Sequence, residues 1–169
     1  MKINNNEISI RAYRKSDRDD VVHLICSMQR AMMDFDTIHE RDVKEGYGEI
    51  TLDELLKAVS KKSGFVYVVD AHGSIVGYVN GSIEKPSEAE LLGRRKPTII
   101  FGEVDMIYIQ PEYRRKGISI MLMKKAEELL KKHGCTVVLV NYYAANKKAR
   151  IMYNKLGYKM VGMSSYKKI

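Results

Sequence analysis

The sequence predicts a mixed α/β fold from three observations. Segments of strand-like and helix-like periodicity follow one another in the order β α α β β β α β α β. Two strand-like runs flank Ala71-His72-Gly73-Ser74, which reads as the turn of an antiparallel hairpin. Further on, a long strand, an amphipathic helix and a short apolar strand make a β-α-β crossover, the connection that parallel strands require.

The elements follow in order. Ile8-Ser9-Ile10-Arg11-Ala12-Tyr13 alternates and reads as a strand. Ser16 or Asp17 is expected to cap a helix that turns Val21, Val22, Leu24, Ile25, Met28 and Met32 inward. Residues 34–50 are charged, contain Gly46-Tyr47-Gly48 and read as a loop. Thr51-x-x-Glu54 has capping-box spacing and is expected to open a short helix with Leu52, Leu55, Leu56 and Val59 inward. Phe65 to Val69 and Ile75 to Ile83 are the two hairpin strands, and residues 85–97, with Pro86, Gly93 and Pro97, read as a connecting loop. Thr98 to Ile109 is a long strand. The helix after Gly117 places Ile118, Met121, Leu122, Ala126, Leu129 and Leu130 at helical spacing and ends on Lys131-Lys132-His133-Gly134, cations followed by a terminating glycine. Thr136 to Val140 is a buried strand, Asn146 caps a short helix to Leu156 stopped by Gly157, and Tyr158 to Met163 is expected to be the last strand.

A chain of 169 residues fits a single domain over 1–169 with a core that needs no staples. Apolar residues at 45% and charged residues at 30% fit a globular protein. No run approaches the roughly 18 apolar residues of a membrane-spanning helix, and Met1 to Glu7 lacks the apolar stretch of a signal peptide. Cys26 and Cys135 lie far apart without CxxC spacing, so the expectation is a pair of reduced thiols in a cytoplasmic protein. His23, His39, His72 and His133 show no metal-ligand spacing, and no metal is expected. The net charge is +8, but it is divided: residues 17–60 hold eleven acids against five bases, and the remainder holds ten against twenty-four. A basic nucleic-acid-binding domain is therefore one reading, opposed by the divided charge and by the lack of a helix-turn-helix, zinc knuckle or RNP aromatic pattern.

The basic part contains the most informative stretch. The apolar run Ile107-Tyr108-Ile109 enters a turn, Pro111-Glu112-Tyr113-Arg114-Arg115-Lys116-Gly117, from which a helix starts at once. The first N–H groups of a helix have no intrahelical partner, and its dipole adds positive charge there. Gly117 has no Cβ, so a phosphate can come close to the backbone. The spacing is neither a P-loop, which needs a following Gly-Lys-Ser/Thr, nor a Rossmann turn, which needs further glycines.

Arg114-x-x-Gly117-x-Ser119, preceded by Ile107-x-Ile109-x-Pro111-x-Tyr113, resembles the coenzyme A motif of the GNAT superfamily of N-acetyltransferases. Ser119 stands where the family carries a second glycine or alanine. Asn146-x-x-Ala149-x-x-x-Tyr153-x-x-x-Gly157-Tyr158 resembles the closing signature of the same family, and the element order matches over nearly the whole chain. The resemblance implies the GNAT acyl-CoA N-acyltransferase fold: a central mixed, mostly antiparallel sheet with a splayed parallel strand pair, flanked by about four helices. It implies an N-acetyltransferase that takes acetyl-CoA as cosubstrate and needs no metal.

The resemblance also assigns roles. The backbone of Gly117, Ile118 and Ser119, with Arg114, Arg115 and Lys116, would cradle the pyrophosphate. Ile107 and Ile109 would meet pantetheine through their main chain, the Ile107 N–H being a candidate donor to the thioester oxygen. Asn146 would contact the pantetheine arm, and Tyr153 would serve as general acid toward the leaving thiolate. Glu103 occupies the place of a general-base glutamate, with Asp105 and water as rivals, and unbroken alternation would set Glu103, Asp105, Ile107 and Ile109 on one face. A non-catalytic acyl-CoA sensor would keep the fold without turnover. The acceptor, a small-molecule or protein amine, is expected to be cationic, because the two early helices and their loop are acidic. A homodimer is compatible with the class, and no membrane partner is expected.

Overall fold

Five strands form one sheet in a computed structural model that describes residues 8–84, 86–93 and 98–167. They are β1 (Ile8–Ala12), β2 (Gly64–Ala71), β3 (Ser74–Glu84), β4 (Phe101–Ile109) and β5 (Val137–Val140). Their spatial order follows the chain, antiparallel from β1 to β4 and parallel between β4 and β5. The helices are α1 (Arg18–Met33), α2 (Tyr47–Ser60), α3 (Glu88–Gly93), α4 (Ile118–Lys132) and α5 (Lys147–Lys155). The mixed α/β class, with one parallel pair on an antiparallel sheet, is as expected from the sequence.

Each sheet face carries its own apolar layer. Val21, Leu24 and Ile25 of α1 and Leu52 of α2 pack on Val68, Ile75 and Tyr78. On the opposite face Ile118, Leu122, Met123, Ala126 and Leu130 of α4, with Tyr153 of α5, pack on Val69, Val79, Val104 and Ile109. Most stripe positions seen in the sequence are thus the inward faces, and their burial is the main stabilising term. Val59 of α2 and Met121 of α4, expected inward, are instead 37% and 41% exposed, and Met123 fills the α4 layer. The strand expected to be buried over Thr136 to Val140 is β5, which ends the sheet order and leaves Val137 exposed. At one end of the sheet Arg11 ties three segments together. Its guanidinium donates to both Asp17 oxygens at 2.7 and 2.9 Å and to Asp70 at 2.9 and 3.1 Å.

Several expectations are corrected. Helix α2 starts at Tyr47, a turn before the Thr51 capping box, because Tyr47 already packs in the α1/α2 layer and Gly48 lies flush against Val22 and Cys26. Asp17 precedes α1 without capping it; its carboxylate turns back to Arg11 and to the Arg14 N–H. The expected loop 85–97 contains α3, while Lys85 and residues 94–97 lie outside the described residues, as does the Met1–Glu7 stretch. Tyr158 to Met163 does not join the sheet. Tyr158 instead folds back, its hydroxyl donating to Glu127 of α4 at 2.8 Å. Beyond it Val161 is 93% exposed, since Lys159 and Gly162 break the alternation that would give a strand an apolar face.

Candidate active site

The site is built where β4 changes register. Val104 pairs with Gly81 and Met106 with Asn80, so Asp105 is an extra residue on β4, a β-bulge. Gly81 permits it: a Cβ there would lie 2.1 Å from the Glu103 carbonyl oxygen. The parallel partner leaves at the same point. Pairing with β5 runs from Phe101↔Val137 to Val104↔Val140 and stops, so β4 continues to Ile109 without a β5 neighbour. This is the separating parallel pair that the resemblance implied.

The bulge also divides the residues expected on one face. Val104, Ile107 and Ile109 belong to the α4 layer, whereas Met106 and Tyr108 belong to the α1/α2 layer. Glu103, adjacent to Val104 in an alternating strand, lies on the α1/α2 side. Asp105 lies on that side too, hydrogen-bonded to Asn80, which alternates in step with Tyr78. Glu103 and Asp105 therefore share a face, and Ile107 and Ile109 do not share it with them.

The carboxylates are held differently. Asn141, just after β5, donates its Nδ2–H to Glu103 Oε1 at 2.8 Å. Asp105 accepts from Asn80 Nδ2 at 3.2 Å. Asn80 is fully buried, and its Oδ1 has no partner among the described residues. Asp105 is exposed as a residue, while neighbouring protein still crowds its carboxylate. That desolvation, with the charges of Glu103 and Glu84, pushes its carboxyl up to about 6, against a smaller downward pull from the Asn80 amide.

The turn before α4 supplies the opposite potential. Arg115 at φ 62° and Gly117 at φ 81° are both left-handed, a conformation that a non-glycine residue adopts at a cost. The Gly117 carbonyl accepts from Ile120 and Met121, which starts the helix. The N–H groups of Arg115, Lys116, Gly117, Ile118 and Ser119 have no acceptor among the described residues. A Cβ at Gly117 would meet no protein atom within 4 Å, so space is open at the backbone. Five free donors beside a helix N-terminus and two left-handed residues fit a pyrophosphate.

The side chains of the turn have separate fates. Arg114 donates its Nε–H to the Ile109 carbonyl at 2.8 Å and lies 5.2 Å from the Tyr108 ring centre. Lys116 Nζ is 5.1 Å from the Tyr113 ring centre, and Arg115 is exposed. Ile118 is buried in the core, and Ser119 is half-buried. Asn146 caps α5, its Oδ1 accepting from the Ala149 N–H at 3.1 Å. Tyr153 is 5% exposed, with its ring 5.3 Å from that of Tyr142 and 5.5 Å from that of Tyr158. Burial, with a smaller contribution from Tyr142, pushes its hydroxyl up to about 12, so it is protonated at neutral pH. Of these groups, Arg114 reaches the end of β4 through Ile109, and Tyr153 packs in the same layer as Val104 of β4 and Val140 of β5. Among the described residues no cluster of His, Cys, Asp and Glu could hold a metal, and no helix is long and apolar enough to cross a membrane.

The sequence profile of the Acetyltransferase (GNAT) family matches residues 32–158, most of the chain. The chain belongs to the GNAT acetyltransferase family. An uncharacterized N-acetyltransferase from Archaeoglobus fulgidus is 30% identical over 121 residues, 72% of each chain. An uncharacterized N-acetyltransferase from Methanocaldococcus jannaschii is 29% identical over 150 residues, 89% of this chain but only 60% of the relative's length. In three dimensions the chain is similar to an aminoglycoside acetyltransferase, AAC(6')-Iy, in complex with the bisubstrate analog CoA-S-monomethyl-acetylneamine. The TM-score is 0.69 at 15% identity, covering 96% of this chain and 97% of the other. This GNAT protein is an N-acetyltransferase.

Sequence reasoning missed two residues of the site, Asn80 and Asn141. Asn80 had a visible signal, a lone amide directly after the apolar run Ile75–Val79. The bulge had none, because register is a property of the pair of strands.

Proposed function

We propose that this GNAT protein transfers the acetyl group of acetyl-CoA to a cationic primary amine by direct attack on the thioester. The observation that carries the reading is the β4 bulge. It turns Glu103 and Asp105 to the acidic α1/α2 side at the point where β5 leaves β4, while the free N–H groups lie just beyond the end of β4.

The five free N–H groups of the Arg115–Ser119 turn would hold the pyrophosphate, with Arg114, Arg115 and Lys116 adding attraction. The unpaired stretch of β4 would meet pantetheine. The Ile109 carbonyl, already accepting from Arg114, keeps its second lone pair, and the Ile107 N–H would donate to the thioester oxygen as charge develops there. Asn146 uses its Oδ1 as a helix cap, which leaves its Nδ2–H for the pantetheine arm.

An amine arrives as an ammonium and must lose a proton before it attacks. Asp105, pushed up to about 6, is ionised at neutral pH and matched to accept that proton directly or through water. Glu103, fixed by Asn141, would hold the ammonium as its second carboxylate partner. This ordering exchanges the emphasis of the sequence reading, in which Glu103 was the leading base. The amine nitrogen then bonds the carbonyl carbon to give a tetrahedral intermediate, and its second proton passes to solvent. The C–S bond breaks, and the thiolate takes a proton from the Tyr153 hydroxyl, which solvent reprotonates.

A cationic acceptor follows from the α1/α2 side. Asp34, Glu40, Asp42, Glu45 and Glu49 are exposed there, whereas Asp36 is buried and accepts the N–H groups of Ile38 and Arg41, a role internal to the loop. Thiol release from acetyl-CoA with spermidine, tyramine and β-alanine tests the reading. The expected order of kcat/KM is spermidine, then tyramine, then β-alanine, converging as salt rises. Equal rates, or a preference for β-alanine, would contradict a cationic acceptor.

A further inference from the structure

The loop between α1 and α2 touches the rest of the fold in an unexpected way. Arg41 donates through Nη1 to Oε1 of Gln29, on α1, at 2.8 Å, and through Nε to the hydroxyl of Tyr143, whose ring centre lies 5.2 Å away. Gln29 is only 6% exposed, so the anchor on α1 is fixed in the interior. Asp36 holds the Arg41 N–H at 2.8 Å, which fixes the loop backbone from which the side chain springs. In a loop rich in carboxylates, the guanidinium forms no ion pair among the described residues; both its side-chain partners are neutral. Loose attraction between charges does not explain such an arrangement, because a planar donor is set between two specific oxygens.

The far end of this clamp matters most. Tyr143 lies between β5 and α5, in a segment whose two preceding residues both reach the site. Asn141 holds Glu103, and Tyr142 packs on Tyr153. In extended chain Asn141 and Tyr143 point to one side and Tyr142 to the other. Pulling on Tyr143 therefore sets Asn141 on the carboxylate side and Tyr142 against the buried phenol. Because β5 pairs with β4 only as far as Val140, no ladder bond to β4 fixes residues 141–143. Arg41 supplies that restraint from 102 positions away.

We infer that Arg41 is a positioning residue for acetyl transfer, acting through Tyr143 to hold the Asn141–Tyr142–Tyr143 segment against Glu103 and Tyr153. The inference rests on the function proposed above. The guanidinium touches neither substrate in this scheme; it sets the distance between the carboxylate wall and the phenol. Misplacing reacting groups by about 1 Å can cost on the order of a hundredfold in rate.

The test uses the full chain with Arg41→Met, Arg41→Lys and Tyr143→Phe, and the double variant Arg41→Met with Tyr143→Phe. Amide hydrogen exchange reports the clamp without requiring activity. Exchange across 141–146 is expected to rise several-fold in Arg41→Met and Tyr143→Phe, with no further rise in the double variant and no change in β1–β3. Lysine cannot reach both oxygens with a planar fork, so Arg41→Lys is expected to recover little. With acetyl-CoA and spermidine, kcat is expected to fall about ten- to a hundredfold while the Kd for coenzyme A rises no more than a few-fold, since Asn146 is the segment's one contact with it in this scheme. Unaltered exchange at 141–146 would overturn the clamp. Raised exchange with wild-type kcat would reduce it to a structural contact and overturn the positioning role. A wild-type protein that releases no thiol with any amine would overturn the proposed function and the positioning role with it, and the exchange data would still decide the clamp.

Discussion

Replacing Asp105 by asparagine removes one charge from the bulge and keeps the shape. Its carboxyl is moved from 3.8 to about 6, chiefly by desolvation and then by Glu103 and Glu84. At about 1.36 kcal/mol per pH unit, the shift corresponds to roughly 3 kcal/mol between the two protonation states. Asp105 is open to solvent, so screening reduces what reaches folding stability to about 1 kcal/mol. The folded state binds this proton more tightly than the unfolded state does. The penalty is therefore absent below 3.8, grows as pH rises, and is complete above about 6. Asp105→Asn should be more stable than wild type by about 1 kcal/mol at pH 7.5 and indistinguishable from it near pH 3.5, as read by urea unfolding. Its kcat/KM should fall by about 10²–10⁴-fold, and the acidic limb near pH 6 should vanish. A stability gain equal at both pH values, or a limb that persists, would refute the assignment of that titration to Asp105. A persisting limb would move the base to Glu103 or to water.

Other variants separate the remaining parts. Asp17→Asn should cost about 2–3 kcal/mol at pH 7, because a nearly buried carboxylate leaves Arg11 and the Arg14 N–H. Arg11 and the Arg14 N–H lower the Asp17 pKa, so its stabilisation is present above 3.8 and lost as pH falls further; the difference in urea midpoint should shrink in acid. Gly117→Val should fold at a cost of about 1–2 kcal/mol for its left-handed φ, yet lose the thermal stabilisation that coenzyme A gives wild type. An undiminished thermal shift would place the pyrophosphate elsewhere. Tyr153→Phe keeps the packing on Tyr142 and Tyr158, so acetyl-CoA affinity should hold while single-turnover chemistry slows by about 10²–10⁴-fold. Unchanged chemistry would leave Tyr153 as a core residue.

What the sequence disclosed follows from what is local. The stripe of α1, most of that of α4 and the Asn146 cap are set by neighbours within a few positions and are found where the pattern puts them; in α4 Met123 rather than Met121 turns inward. The turn at Gly117 was legible for the same reason, since a helix start and a glycine occupy adjacent positions. The bulge at Asp105 was not, because it exists only in the pairing of β4 with β3, and its consequence is the transfer of Ile107 and Ile109 to the other face. The start of α2 was misplaced because packing of Tyr47 and the close fit of Gly48 outweigh a good capping box at Thr51. The last strand failed because a strand needs a partner, and none of the described residues offers Tyr158–Met163 one. Asn141 became part of the site only when β5 ended beside Glu103.

The central claim is that the acetyl group passes directly from thioester to amine across the splay between β4 and β5. Acetyl-CoA labelled with carbon-13 in the acetyl group, incubated with the protein and spermidine, tests it by mass spectrometry of all products. The account predicts label on the amine, coenzyme A released in equal amount, and none on the protein, with transfer lost in the double variant Asp105→Asn and Glu103→Gln. Label retained by the protein, or recovered as free acetate with the amine unmodified, would contradict it.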